Sequence, residues 1–241
     1  MNYVLVTGAS GDIGEACVKQ LAKKGYSVYC HYFRNEQKIK SLLSDLILKY
    51  PKQDFFALQA DLSSPKSVEQ ITKDMFQLHA IIFAHGDTVY KLLSDTTPDE
   101  MTHLWHTHVY NPIRLCQLCQ PKLTQHSHSQ IVFISSVYGL IGSSMEVMYS
   151  TVKGAQIAFV KSYAKEVASM NLTINAIAPG AVDTNMNTLW SKEEKQSLLL
   201  DIPLNRLAQP KEVASLVSYL LSEDASYITG STIPLTGGWS V

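Results

Sequence analysis

The sequence predicts an α/β fold: a Rossmann-type, doubly wound parallel sheet of about seven strands, with helices on both faces, in a single domain spanning all 241 residues. Three observations predict it. Short apolar runs alternate with helical patterns almost from end to end. Most of those runs are continuously apolar, as strands buried on both faces are. A glycine-rich segment joins the first run to the first helical pattern.

The expected strands are residues 3–7, 27–32, 55–59, 80–84, 130–135, 172–177 and 231–235. The first helix is expected over 13–24, with Ile13, Cys17 and Leu21 on one stripe and Gly25 at its C-terminal end. Repeated strand–helix units require parallel pairing and right-handed crossovers. No linker, repeat or shift in composition divides the chain.

Composition narrows the function classes. The chain is 46% hydrophobic and 17% charged, which is ordinary for a globular protein. A net charge of −1 leaves no electrostatic footprint for nucleic acid or an anionic membrane, so neither is expected as a partner. No basic leader precedes the first strand, and no apolar run nears the roughly 18 residues of a spanning helix. Four cysteines do not make a disulfide framework. These features predict a cytoplasmic protein with no metal site. Cys116 and Cys119 lie in a helical apolar pattern without a second ligand pair, so core packing is their expected role. His126 and His128 are expected as solvated loop residues, and Lys192 to Lys195 as a solvated helix face.

In doubly wound folds the chemistry sits beyond the carboxyl ends of the strands. There the sequence reads Thr7-Gly8-Ala9-Ser10-Gly11-Asp12-Ile13-Gly14. The glycines permit a tight turn, and backbone N–H groups with the helix N-terminus suit a pyrophosphate. Asp12, followed by Glu15, fits a capping box. After the second strand, Arg34 and Asn35 stand where a carboxylate would select NAD. A guanidinium at that point favours a 2′-phosphate, so NADPH is the expected cofactor.

Tyr149 and Lys153 are four residues apart, one helical turn, on one face. A cation there is expected to lower the phenol pKa, so that Tyr149 can exchange a proton with a carbonyl oxygen. Ser136 ends a buried strand thirteen residues earlier and can hydrogen-bond a developing oxyanion. Ser135 competes for that role or caps the strand.

Together these motifs resemble the short-chain dehydrogenase/reductase family, over essentially the whole chain and in the family's order. The C-terminal half, with Asn175 to Gly180, Arg206, Pro210, Glu212, Thr229-Gly230 and Gly237-Gly238, looks like 3-oxoacyl-acyl-carrier-protein reductases. The resemblance implies that Ser136 donates to the substrate oxygen and that Tyr149 is the acid–base. It implies that Lys153 also binds the nicotinamide ribose. It places Asp61 at the adenine and Thr184 at the carboxamide, and counts Leu62, Ala84, Gly86, Pro179, Gly180 and Val182 among the cofactor-binding residues. It implies a homodimer or homotetramer. The insertion after Pro179-Gly180, residues 186–200, is expected to form a mobile lid over the substrate or else a fixed surface helix.

Three departures stand out: Asp12 for glycine, Phe83-Ala84-His85-Gly86 for Asn-Asn-Ala-Gly, and His108 for the fourth catalytic asparagine. His108 reads either as part of a modified proton relay or as a packed core histidine. His108, Pro112 and the altered motif around Gly86 resemble the elongation factor P 5-aminopentanone reductases. The substrate implied is a ketone carried on acyl carrier protein or on elongation factor P. The alternatives are a small-molecule carbonyl reductase or alcohol dehydrogenase, and a dinucleotide-binding sensor without turnover.

Overall fold

The computed structural model describes residues 2–185 and 192–239. Seven strands form one parallel sheet in the order β3-β2-β1-β4-β5-β6-β7. They are β1 (Tyr3–Thr7), β2 (Ser27–Tyr32), β3 (Phe55–Gln59), β4 (Ala80–Phe83), β5 (Ser129–Ile134), β6 (Leu172–Pro179) and β7 (Thr232–Leu235). The largest departure from the expected bounds is β6, which runs two residues further to Pro179 because Ala178 and Pro179 pair with Pro234 and Leu235.

The strand side chains alternate between two cores, as period two demands. Val4, Val6, Val28, Cys30, Ile82 and Val132 face one layer, with α1 (Asp12–Lys23), α2 (Glu36–Lys49) and α9 (Pro210–Leu220) over it. Leu5, Tyr29, Ile81, Phe83, Ile131 and Phe133 face the other layer. There lie α3 (Ser67–Lys73), α5 (Asn111–Leu123) and α7 (Val147–Val167). Helix α4 (Pro98–Trp105) leads into α5, α6 (Tyr138–Ile141) precedes α7, and α8 (Lys192–Asp201) precedes α9. Cys116 and Cys119 are buried in the second core as free thiols, as their apolar setting suggested.

Between α4 and α5 the helix opens into one π-turn, His106–Tyr110. The cause is Pro112. It has no N–H to give the His108 carbonyl one turn back. Gln156 of α7 donates its Nε2 to that carbonyl instead, at 2.8 Å. Extra width at this point swings the His108 side chain inward, fully buried against the end of β4.

Strand order reverses between β1 and β4, so the crevice of the fold opens at their carboxyl ends. No helix among the described residues is long and apolar enough to cross a membrane.

Candidate active site

The glycine loop follows β1 into that crevice. Gly8 takes φ 69°, a left-handed conformation that side chains resist. Its N–H donates to His31 Nδ1 at 3.2 Å, and Ala9 N–H donates to the His31 carbonyl at 2.8 Å. His31 Nε2 in turn faces the Ala60 carbonyl at 3.1 Å. The imidazole therefore carries its proton on Nε2 and clamps the loop with Nδ1. Thr7 and His85 tie the loop to β4: their Oγ1 and Nδ1 atoms are 2.7 Å apart, and His85 Nε2 reaches the Thr107 carbonyl at 2.8 Å. Sequence reasoning missed His31, His85 and Thr7. Nothing in their spacing marks them, because each acts across strands.

Burial holds His31 neutral, lowering its pKa from 6.5 to about 4, and pushes His85 well below 6.5. A base whose folded pKa lies below its unfolded value stabilises the fold fully above pH 6.5. That contribution is lost as pH falls through 4. Acid should therefore lower the melting temperature across pH 6.5 to 4. His31 alone accounts for on the order of 3 kcal/mol. Calorimetry of His31→Gln across this window should show a shallower slope than wild type.

Helix α1 starts at Gly11, which has no side-chain cap. The expected Asp12–Glu15 capping box does not form. Asp12 sits inside the first turn, and its carboxylate accepts from Asn185 N at 2.7 Å and Asn185 Nδ2 at 3.1 Å. Glu15 pairs with Lys19 and Lys38 at 2.5 and 2.9 Å. Two consequences follow. The first-turn N–H groups of Asp12, Ile13 and Gly14 keep their donors for an anion. Asp12 also pins the segment after β6, with Val182 and Thr184, beside the loop. An uncapped helix N-terminus behind Ser10 and Gly11 fits the diphosphate of a dinucleotide.

Further along the crevice, Arg34 is exposed and lies over the Phe33 ring at 4.8 Å. Asn35 caps α2 by accepting from Lys38 N. Asp61 accepts from Ser63 N–H and Oγ at 2.9 and 2.7 Å, beside buried Leu62. Ala84 N–H donates to Thr7 Oγ1, and Gly86 packs against the His108 ring. Gly180 N–H donates to the Leu235 carbonyl, and Val137 N–H to the Pro179 carbonyl, which joins the ends of β5, β6 and β7.

Ser136, Tyr149 and Lys153 converge at the same open end of the sheet. Ser136 Oγ accepts from Tyr138 N–H at 3.2 Å and lies near enough to the Tyr149 phenol to lower its pKa. Ser135 is committed elsewhere, donating to the Lys153 carbonyl at 3.0 Å, so Ser136 is the serine available to a substrate. Lys153 is buried, donates to the Ile134 carbonyl at 2.9 Å, and lies 5.5 Å from the centre of the Tyr149 ring.

The electrostatics correct one expectation. In the free protein the phenol is not acidified. Burial raises the Tyr149 pKa, nearby Glu146 raises it further, and the Ser136 hydroxyl offsets only part. Burial lowers Lys153 to about 7, with Asp87 opposing. Desolvation outweighs the mutual attraction of ammonium and phenolate. Tyr149 thus holds its proton near neutrality, which suits a proton donor.

His126 and His128 differ from their expected solvated state. Both are half-buried, and His126 stacks on His79 at 3.7 Å. The Glu193 to Lys195 face of α8 is exposed as expected. Of the expected lid, 186–191 lies outside the described residues. Among the described residues no cluster of metal-binding side chains exists.

Fold and site together define an oxidoreductase on a doubly wound scaffold. A family model described as Enoyl-(Acyl carrier protein) reductase matches residues 8–240. The Bacillus subtilis uncharacterized oxidoreductase YmfI is 39% identical, covering 98% of this chain and 97% of its own. The Staphylococcus aureus 3-oxoacyl-[acyl-carrier-protein] reductase FabG is 32% identical over 97% of this chain and 96% of its own. The solved structure of YwfH, an NADPH dependent reductase involved in bacilysin biosynthesis, superposes with a TM-score of 0.92 at 24% identity, covering 99% of this chain and 98% of that one. The chain belongs to the short-chain dehydrogenase/reductase family.

Proposed function

We propose that this protein is an NADPH-dependent reductase that converts a ketone on a carrier protein into a secondary alcohol. The observation that carries the reading is Tyr149 over buried Lys153, with Ser136 left uncommitted beside them, at the mouth of the crevice that begins with the glycine loop. When bound, NADPH supplies the hydride. Ser136 donates to the ketone oxygen and orients it. Tyr149 gives that oxygen its proton. Lys153 stabilises the phenolate left behind, because its ammonium lies within one helical turn. Asp12, Ile13 and Gly14 would hold the diphosphate, and Arg34 the 2′-phosphate.

The FabG relatives support a 3-oxoacyl group on acyl carrier protein. His108, Pro112 and the motif at Gly86 support the 5-aminopentanone group on elongation factor P. One experiment separates them. Purified protein is given NADPH with a 3-oxoacyl thioester, or with elongation factor P bearing the unreduced ketone, and products are read by mass spectrometry. A mass gain of two hydrogens on either supports the proposal and names the carrier. No gain on both, with turnover of free ketones, moves the protein to the small-molecule reductases.

The cofactor assignment has its own check. Arg34→Ala should weaken NADPH binding about tenfold, the value of one charge-assisted hydrogen bond, while NADH binding stays unchanged. Fluorescence titration with both dinucleotides reads this. Equal losses for the two would remove Arg34 from the 2′-phosphate.

A further inference from the structure

We propose that Glu146 is a specificity-determining residue whose carboxylate binds an ammonium group that the ketone substrate carries a few carbon atoms from its carbonyl. The inference rests on the reductase reading and narrows it to cationic ketones. Glu146 immediately precedes α7, with Tyr149 three residues on and Lys153 four further. Those spacings put carboxylate, phenol and ammonium on one face of the helix. Lys153 is buried at the inner end of the stripe, and Glu146 is half-buried at the other.

The carboxylate is aimed by the fold. At this position Ser, Thr, Asp or Asn would cap the helix. Glu146 makes no side-chain cap bond. It accepts instead from Thr88 Oγ1 at 2.7 Å, in the segment after β4. Met145 takes φ 64°, a left-handed conformation that side chains resist, just before it. The Met145 carbonyl accepts from Lys91 N–H at 2.7 Å, which fastens the segment after β4 to the start of α7.

The protein gives this charge no counter-ion. Among the described residues no Lys, Arg or His pairs with Glu146. Lys91, on the fastened segment, is held by Glu100 at 2.5 Å. Asp87, the other carboxylate near the phenol, is committed: its side chain accepts from His103 Nε2 at 2.8 Å. Its backbone carbonyl, which only accepts, faces His108 Nε2 at 2.9 Å, so Nε2 carries the His108 proton.

Glu146 acts on the reacting group. After burial, its charge is the largest influence raising the Tyr149 pKa. Tyr138, two residues past Ser136, is raised by burial and then by the same charge. A lone carboxylate there opposes the phenolate that reduction leaves behind. A cation on the substrate removes that opposition as it binds. The Tyr138 ring, edge-on to Trp239 at 5.8 Å, offers a π-system to the same cation. Side chains three residues apart on a helix are about 5–6 Å apart, which a few carbon atoms span. An amino ketone fits that spacing. A 3-oxoacyl thioester has no cation to offer there.

The test compares two methyl ketones of one shape and equal spacer, one ending in trimethylammonium and the other in tert-butyl. With NADPH, wild type should favour the charged ketone about tenfold in kcat/KM, and the preference should shrink as salt rises. Glu146→Gln keeps the shape and the acceptor for Thr88, and should bring the ratio close to one. Loss of the charge also eases loss of the phenol proton, but both ketones share that effect and the ratio cancels it. A purely structural role would change both ketones alike. Equal rates for the two ketones in wild type, or a glutamine variant that keeps the preference, overturns the proposal. If the glutamine variant does not fold, the wild-type ratio and its salt dependence decide. Calorimetric titration of the charged ketone into protein loaded with oxidised cofactor reads the same contact without turnover. Binding to Glu146→Gln should be about tenfold weaker. Equal binding overturns the proposal. Absence of turnover of both ketones by wild type, with that difference in binding intact, would fail the reductase reading alone.

Discussion

Tyr149→Phe should reduce ketone turnover by about 10²–10⁴-fold while leaving NADPH affinity within a few-fold of wild type. The substitution removes one oxygen from a half-buried ring and keeps the packing against His108. Among the described residues, two neighbours of the phenol are poorly placed to replace the proton. Lys153 is turned to the Ile134 carbonyl, and His108 presents a lone pair. The loss should fall on kcat rather than KM, because the phenol proton moves only in the transition state. Steady-state kinetics with fluorescence titration of NADPH separate the two. A variant that loses affinity and keeps kcat would place Tyr149 in cofactor binding instead.

Gly14→Ala should be the most damaging single substitution in the loop. A Cβ at position 14 would stand 2.1 Å from the Gly8 carbonyl oxygen and 2.7 Å from its carbon. Both are backbone atoms, and the loop is already tight at Gly8, where a Cβ of its own would meet the His85 backbone at 2.6 Å. Helix α1 must then lift from β1, and the loop loses its register with His31. The cost should be about 3 kcal/mol, lowering the melting temperature by roughly 6–12 °C in a chain this long. NADPH binding should fall below detection at micromolar concentrations. Scanning calorimetry and titration read both. Gly25→Ala is a useful contrast, for its φ of 93° strains a side chain but open space surrounds it, far from the crevice.

Much of this was legible in the sequence for a physical reason. Parallel strands buried on both faces are apolar through most of their length, so β1 and β2 show their extent as runs, whereas β3, at the sheet edge, exposes Phe56, Ala57 and Gln59. The glycine loop, Ser136, Tyr149 and Lys153 lie in short local patterns whose chemistry depends on spacing, and folding brings them to one crevice end. What stayed hidden was long-range. His31 grips Gly8 from the neighbouring strand, Thr7 bonds His85 across 78 positions, and Asn185 reaches Asp12 across 173. No window of sequence contains both partners. Asp12 misled for the same reason: a capping box is a local pattern, and a distant amide outcompeted it. The phenol pKa was misjudged because burial, a tertiary property, exceeded the effect of the lysine one turn away.

The most direct measurement follows an atom. NADPH carrying deuterium at the transferable C4 position is mixed with protein and ketone, and the alcohol is examined by mass spectrometry and NMR. The account predicts deuterium on the carbinol carbon, from one face of the nicotinamide only, with Tyr149→Phe forming the same deuterated alcohol at its much lower residual rate. Alcohol that forms without deuterium on that carbon, or a protein that binds NADPH and transfers none to any ketone, would contradict it.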